Sequence, residues 1–143
     1  MAAITVTAAN VLPQANARIG VGVAGEAITR GQSIYRNATD QRLYLADTNA
    51  SAAAAAGVGI ALQDVGVGQR LEYAKRGSRV AFGSAVLTKG LIYCVGGVGA
   101  GNPGDIMPSA DLASGCFTTI LGIAEDTSIL DMESLTVSNA ALA

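Results

Sequence analysis

The sequence predicts a mainly β fold, either a small antiparallel β-barrel or a sandwich, with one short alanine-rich helix. Apolar and polar residues alternate in three segments, which is typical of strands with one buried and one wet face; these are residues 4–7, 71–75 and 134–138. Other runs are apolar on both faces, as in central strands; these are residues 19–24, 57–62 and 118–124. Eighteen glycines separate these runs at spacings close to those of small β domains.

One segment departs from the strand pattern and predicts the helix. Candidate N-caps lie between Asp47 and Ser51, residues 52–56 are all alanine, and Gly57 is a good C-terminal stop. A helix of about two turns is marginal alone, so we expect it to pack across one end of the β structure. A flexible linker is the alternative. Residues 96–104 are rich in glycine and predict a surface loop.

A rough internal repeat relates residues 25–62 to residues 84–125. Gly31 to Gly59 spans 28 residues and Gly90 to Gly122 spans 32, so the copies differ by loop-sized insertions. The repeat predicts two related β halves. The matching segments are Gly31-Gln32-Ser33-Ile34-Tyr35 with Gly90-Leu91-Ile92-Tyr93, Leu43-Tyr44-Leu45-Ala46-Asp47 with Asp111-Leu112-Ala113-Ser114-Gly115, and Gly59-Ile60-Ala61 with Gly122-Ile123-Ala124.

The length of the chain sets its domain organisation. At 143 residues it is one domain, or two small halves that share a core. Residues 1–17 are predicted to be an N-terminal arm or a first strand, and residues 18–143 a single β domain. With no Trp and only two Phe, the core is built largely of small side chains. We therefore expect self-association to bury further surface.

Charge is sparse and unevenly distributed. Only 14% of residues are charged, against about a quarter in a typical soluble domain. All nine basic residues lie between Arg18 and Lys89, which gives residues 1–100 a net charge of +4, nine bases against five acids, and residues 101–143 a net charge of -6. This separation suits pairing within the chain or head-to-tail contact between copies. An ordinary solvated surface is the alternative.

The available residue types argue against catalysis. Without histidine there is no Ser-His-Asp or Cys-His arrangement and no typical zinc site. Glu125 and Asp126 are adjacent, and neighbours on a strand point to opposite faces, so they would not converge on a substrate. Cys94 and Cys116 lie in apolar segments and predict buried thiols of a reducing cytosol. We expect no enzyme, no catalytic residue, no cofactor and no metal.

Glycine motifs and composition also exclude several partners. Residues 20–25 fit GxGxxG and residues 66–68 begin similarly, but neither opens a helix within a βαβ unit, so turns or bulges are expected. A pI near 4.9 disfavours a nucleic-acid partner. No run of 18 apolar residues and no secretory signal occurs, so we expect neither membrane insertion nor secretion.

Several segments together resemble a family of bacteriophage head proteins. Residues 24–35 read AGEAITRGQSIY, residues 43–47 read LYLAD, and GIAL at residues 59–62 precedes Gly68-Gln69. With LGIA at residues 121–124, these resemble the capsid decoration, or cement, proteins of tailed phages. The likeness covers about residues 18–130 in pattern and composition.

The resemblance implies a non-enzymatic virion protein made in the host cytoplasm. Such a protein binds the outer surface of an assembled capsid, commonly as a homotrimer, and bridges neighbouring subunits of the major capsid protein. A tail-fibre or spike module for receptor attachment is the alternative, and an aromatic and polar carbohydrate cleft would distinguish it. A small β-barrel enzyme is a further alternative, which would require convergent carboxylates in a cleft.

Three regions are candidates for protein contact. The amino-terminal stretch would either add a strand to a neighbour or form the first strand of its own sheet. A basic β-hairpin at residues 70–79 would meet an acidic capsid surface or remain solvated, and apolar residues 135–143 would pack on another protomer or fray. The candidate contact residues are Ile4, Val6, Val11, Leu12, Arg70, Lys75, Arg76 and Arg79.

Overall fold

A computed structural model describes residues 4, 6–15, 17–47, 57–83, 86–95, 104–108, 117–133 and 135–141. Over these residues the chain is mainly β, as predicted, and forms two antiparallel sheets that pack like a sandwich. No closed barrel is found in this part of the chain. The predicted alanine-rich helix, and all but the last residue of the predicted glycine-rich loop, lie outside the described residues.

Short strands account for most of the described structure, after a 3-10 turn at Ala8–Asn10. Five of the six strand segments predicted from periodicity overlap these strands, but residues 4, 6 and 7 of the sixth are not in a strand. The strands are β1 (Leu12–Pro13), β2 (Ile19–Val23), β3 (Ser33–Arg36), β4 (Leu43–Leu45), β5 (Gly57–Ala61), β6 (Arg70–Ala74), β7 (Arg79–Ala81), β8 (Ile92–Val95), β9 (Ile106–Pro108), β10 (Phe117–Ala124), β11 (Ile129–Asp131) and β12 (Thr136–Ala141).

The two sheets share one strand order. The first sheet is β2-β6-β5-β3-β4, and the main path of the second is β1-β7-β11-β10-β8-β9, with β12 also pairing β10. Adding five to each label of the first sheet gives β7-β11-β10-β8-β9, which is the second sheet without β1 and β12. Every one of these pairings is antiparallel.

Backbone hydrogen bonds also match between the sheets. The N–H of Gly31 donates to the carbonyl of Ala61 at 2.8 Å, and the N–H of Gly90 donates to the carbonyl of Ala124 at 2.8 Å. Both glycines have positive φ, 93° and 86° respectively, a conformation that glycine adopts without a steric penalty. The repeated glycines therefore occupy the same kind of turn before β3 and before β8.

Two apolar clusters flank the first sheet. Ile60 and Ala74 belong to the larger cluster, which lies between the sheets, whereas their neighbours Ala61 and Tyr73 belong to the smaller cluster. Successive side chains of a strand point to opposite faces, which explains the division. The smaller cluster includes Ile28, which is 2% exposed and exchanges backbone hydrogen bonds with Val65.

The sheets contact each other through non-equivalent faces. Ile60 of β5 and Ile123 of β10 occupy equivalent positions in the strand register. Each follows a glycine and precedes the alanine whose carbonyl accepts a hydrogen bond from the turn glycine, Gly31 or Gly90. Ile60 is fully buried between the sheets, but Ile123 is 39% exposed. The adjacent Ala124 is instead in the larger cluster. The second sheet therefore makes this contact with the face that carries Ala124. The first sheet makes it with the face that carries Ile60, which is equivalent to the outer face of the second sheet, where Ile123 lies.

The prediction of a basic β-hairpin at residues 70–79 is wrong, because the two strands of this segment do not pair with each other. Strand β6 pairs with β2 and β5 in the first sheet, while β7 pairs with β1 and β11 in the second. The turn between them therefore carries the chain from one sheet to the other. Gly77 has φ of 92° and its N–H donates to the carbonyl of Met132 at 3.2 Å. Turn residues alone do not reveal that the flanking strands separate.

The amino-terminal segment lies along the second sheet. Leu12 and Pro13 pair antiparallel with β7, so this part of the segment adds a strand to its own sheet. Proline is tolerated there because β1 is an edge strand. The N–H of Ile4 donates to the carbonyl of Ile106 at 2.9 Å, and Val6 packs against the larger cluster. Ile4 and Val6 thus contact the sheet without being in a strand.

Candidate interaction surfaces

Strand β2 forms one edge of the first sheet and exposes a row of aliphatic side chains. Ile19, Val21 and Val23 are 41%, 46% and 40% exposed and share one face, while Gly20 and Gly22 alternate with them on the other. There is no room for side chains at the glycines, because the Tyr73 ring and the Leu43 side chain lie over them. We call Ile19, Val21 and Val23 the β2 row.

The backbone groups of the β2 row point away from β6, on the side where Ala24, just after the row, forms an isolated parallel bridge with Leu43 of β4. Just before β2, the carbonyl of Arg18 accepts from the N–H of Lys75 at 2.8 Å, and just after it the N–H of Ala24 donates to Gln69 at 2.9 Å. Hydrogen-bonding groups alternate sides along an antiparallel strand, so the even-numbered residues bond β6. The odd-numbered residues of the β2 row face outward. The carbonyl of Val21 lies 3.4 Å from Nη2 of Arg36.

A second aliphatic group lies on the outer face of the second sheet. Ile92 of β8 and Ile123 of β10 are directly opposite each other and are 38% and 39% exposed. Leu91 precedes β8 and is 41% exposed. We call Leu91, Ile92 and Ile123 the isoleucine patch. Val67 is also exposed, but it lies in the turn between β5 and β6 and belongs to neither group.

The four basic candidates do not form one surface. Arg70 begins β6 and makes an exposed ion pair with Glu72 at 3.0 Å. Lys75 and Arg76 lie past the other end of β6, where they line a depression of about 560 Å³ with Arg18, Gly77 and Glu133. Arg79 lies on β7 in the second sheet.

Arg79 forms an ion pair within the chain. Its Nε and Nη2 donate to the two carboxylate oxygens of Glu125 at 2.5 and 2.6 Å, a bidentate arrangement. The carboxylate raises the pKa of Arg79. The pair ties β7 to the end of β10, so this arginine stabilises the second sheet rather than offering a free charge.

The amino-terminal candidates differ in their exposure. Val11 is 1% exposed and packs in the larger cluster, and Ile4 and Val6 are partly buried against it. Leu12 is 53% exposed and lies on β1. Within this group, Leu12 alone offers a largely exposed side chain.

The adjacent acids have separate roles. Glu125 binds Arg79, whereas Oδ1 of Asp126 accepts from the N–H of Ser128 at 2.7 Å and of Ile129 at 2.9 Å. These hydrogen bonds to the charged form lower the pKa of Asp126. Asp126 therefore organises the turn into β11, whereas Glu125 ties the end of β10 to β7. No group of three or more metal-ligating side chains occurs in the described part of the chain.

Cys94 is buried on β8. Its exposed fraction is 0%, and burial raises its pKa to about 11. It therefore remains a neutral thiol near pH 7, as the apolar segment predicts. Cys116 lies outside the described residues.

Sequence reasoning missed the β2 row. Because Ile19-Gly20-Val21-Gly22-Val23 contains no polar residue, the run predicts a central strand buried on both faces. The useful signal is the alternation of large and absent side chains. Such a strand has one bulky face and one bare face, and the bare face receives neighbouring side chains.

No protein-family model matches the chain, and a search of curated proteins finds no match. The described residues contain no helix long and apolar enough to cross a membrane.

Proposed function

We propose that the chain is a structural virion protein that binds the outer surface of an assembled phage capsid and bridges neighbouring major capsid subunits. It acts without catalysis or a cofactor. One observation carries the proposal: the described residues present two separate aliphatic surfaces, the β2 row on the first sheet and the isoleucine patch on the second. A bridging protein needs at least two contact surfaces, and each sheet supplies one.

Weak contacts suffice for this role when many copies act together. Each surface has only three half-exposed side chains, which is small for an independent interface. On a repeating shell, a second contact of the same molecule becomes intramolecular and gains from effective concentration. A protein that binds only the assembled shell stabilises it by mass action.

The proposal includes two related halves and a homotrimer. The shared strand order and matched turn hydrogen bonds support the halves. Low charge and exposed aliphatic side chains support self-association. Light scattering of the purified protein should give three times the mass of a 14.3 kDa chain; a monomer at micromolar concentration would contradict the trimer.

Capsids assembled without this protein provide the main test. Added protein should bind at a fixed ratio to the major capsid protein and raise the temperature at which the shells break. Unassembled capsid protein, at the same concentration, is the control and should bind much less. If neither saturable binding nor a higher disruption temperature is observed, the proposed function is wrong.

Receptor attachment is a second candidate that involves other residues. The rings of Tyr35 and Tyr44 lie 6.0 Å apart, and the hydroxyl of Tyr44 donates to Asp40 at 2.6 Å. Aromatic rings beside a carboxylate are groups that bind sugars. Binding of host glycans that is lost in Tyr44→Ala would favour this function over capsid binding.

A further inference from the structure

We propose that the depression beside the turn between β6 and β7 is a binding site for the carboxylates of an acidic segment of the capsid subunit. It is lined by Arg18, Lys75, Arg76, Gly77 and Glu133, and we call it the basic depression. The inference rests on the proposed function in taking the capsid subunit as the partner. The site differs from the basic hairpin predicted from the sequence, because it includes Arg18 and leaves out the two arginines that form ion pairs within the chain.

Three cations meet in the basic depression without a counter-ion. Continuing the register of β2 and β6, Arg18 lies opposite Lys75, whose N–H donates to the carbonyl of Arg18 at 2.8 Å. Like charges at opposite positions of an antiparallel pair are destabilising. Arg18, Lys75 and Arg76 are all exposed, and none of them forms an ion pair with a carboxylate of the described residues. A bound anion would relieve the repulsion among them.

The backbone that carries these cations is held by buried groups. The hydroxyl of Ser78, which is 0% exposed, accepts from the N–H of Arg18 at 2.8 Å and donates to its carbonyl at 3.0 Å. The N–H of Gly77 donates to the carbonyl of Met132 at 3.2 Å, and the N–H of Met132 donates to the carbonyl of Ser78 at 2.9 Å. These bonds join the start of β2, the turn after β6 and the end of β11. The backbone of the site is therefore in place before binding, which lowers the entropy cost of association.

The two arginine side chains are oriented by the chain around them. Arg18 lies over Gly77, since a Cβ at Gly77 would be 3.2 Å from both Cδ and Nε of Arg18. Nε of Arg76 donates to the carbonyl of Glu133 at 3.3 Å. The two terminal nitrogens of Arg76 make no hydrogen bond to the described residues. Such a planar pair of donors matches the two oxygens of a carboxylate.

The lining of the depression favours an acidic protein segment as the ligand. Three cations and the carboxylate of Glu133 give it a net charge of +2, three minus one. A peptide brings carboxylates for the cations and N–H groups that can donate to Glu133, whereas the phosphodiester groups of nucleic acid have no donor. The described residues that line the depression include no aromatic ring on which a base could stack. Arg18 directly precedes Ile19, so the acidic segment would lie at the end of the β2 row.

Arg76→Gln tests the inference on undecorated capsids. We expect at least about tenfold weaker binding at low salt, since charge-assisted hydrogen bonds are lost. The difference from wild type should shrink at high salt, which screens exposed charges. Lys75→Gln is a second variant with the same expectation. The matched control is Arg42→Gln, which removes an exposed cation just before β4, outside the depression and both aliphatic surfaces. It should bind within about twofold of wild type.

A short acidic peptide tests the site without capsids. A hexaglutamate peptide with blocked ends, titrated at low salt and followed by NMR, should give saturable shifts of the backbone amides of Arg18, Lys75, Arg76 and Gly77. Arg76→Gln should weaken this binding by a factor similar to that on capsids. Absent shifts, or shifts of equal size at Arg42, would overturn the site. Orthophosphate and an oligothymidylate are the comparison ligands, and tighter binding of either one would overturn the assignment to an acidic protein segment.

The outcomes separate the two proposals. If wild-type protein does not bind capsids, the proposed function is overturned, and so is the capsid subunit as the source of the acidic segment; the peptide titration then decides whether the depression binds carboxylates. If wild type binds capsids while Arg76→Gln and Lys75→Gln bind equally well, only this inference is overturned. Should both variants fold poorly by thermal melting, the titration of wild-type protein with the peptide decides alone.

Discussion

Single charged side chains in this chain mostly organise turns. Asp126 binds two backbone amides and the hydroxyl of Ser128 with one carboxylate oxygen, and Asp64 accepts from the backbone N–H of Arg30 at 2.8 Å. Such local bonds satisfy amides that no strand partner reaches. They explain why a chain poor in charge retains carboxylates at its turns.

Asp126→Asn should weaken the acid sensitivity of the fold. The pKa of Asp126 is lowered in the folded state, so its charged form stabilises the fold above the unfolded pKa near 4, and this contribution is lost as pH falls through the folded pKa. Asparagine keeps an acceptor without a charge. Thermal melts between pH 7 and pH 2.5 should therefore show a smaller fall in midpoint for Asp126→Asn than for wild type; equal falls would contradict the role.

Cys94 should resist modification in the folded protein. The reactive species is the thiolate, and burial both raises the pKa of Cys94 to about 11 and blocks access. Mass spectrometry of a Cys116→Ser variant at pH 8 should show slow alkylation without denaturant and rapid alkylation in guanidinium. Rapid labelling of the folded variant would contradict the burial.

At the scale of strands, the repeated glycines are required by close packing. A Cβ on Gly59 would overlap the carbonyl oxygen of Ala74 in β6, and a Cβ on Gly122 would overlap that of Asp131 in β11. Each glycine thus lets a neighbouring strand approach at the same point of its sheet. The two positions are equivalent in the shared strand order.

Gly59→Ala and Gly122→Ala should each destabilise the fold by about 1–3 kcal/mol, because backbone must move to admit the methyl group. Gly66→Ala is the matched control, since its Cβ would meet only Gln69 at an ordinary 3.7 Å, and it should change stability by less than about 0.5 kcal/mol. Denaturant unfolding measures all three. Equal stability of the three variants would exclude the close-packing explanation.

The periodicity of the sequence predicted where strands occur better than it predicted which strands lie beside each other in a sheet. The run at 57–62 corresponds to β5, which contacts both apolar clusters, and the run at 118–124 corresponds to β10, a central strand whose outer face exposes Ile123. The same kind of run at 19–24 lies at the end of the strand order and meets β4 only through an isolated bridge at Ala24, which a local pattern does not reveal. Likewise, the basic residues of β6 and β7 are close in sequence but belong to different sheets. Sheet order depends on contacts distant in sequence, which a local pattern cannot specify.

For the molecule as a whole, bridging requires both aliphatic surfaces. Removing the isoleucine patch with Ile92→Ser and Ile123→Ser should leave binding through β2 intact but abolish the rise in capsid disruption temperature. Val67→Ser, which changes an exposed aliphatic residue in neither surface, is the control and should behave as wild type. Full shell stabilisation by the double variant would show that bridging does not use this patch.

The contact between non-equivalent faces of the two sheets bears on whether further copies of the molecule can stack on it. When two similar sheets contact each other through non-equivalent faces, one face of each kind is left uncovered. Such a heterologous contact can repeat between molecules and build an unlimited stack. Ile28 and Val65 close the far side of the first sheet, so a further molecule cannot repeat the contact. Stacking therefore ends with the two sheets of one molecule. This prevents fibre formation along that direction, although both sheets expose aliphatic residues.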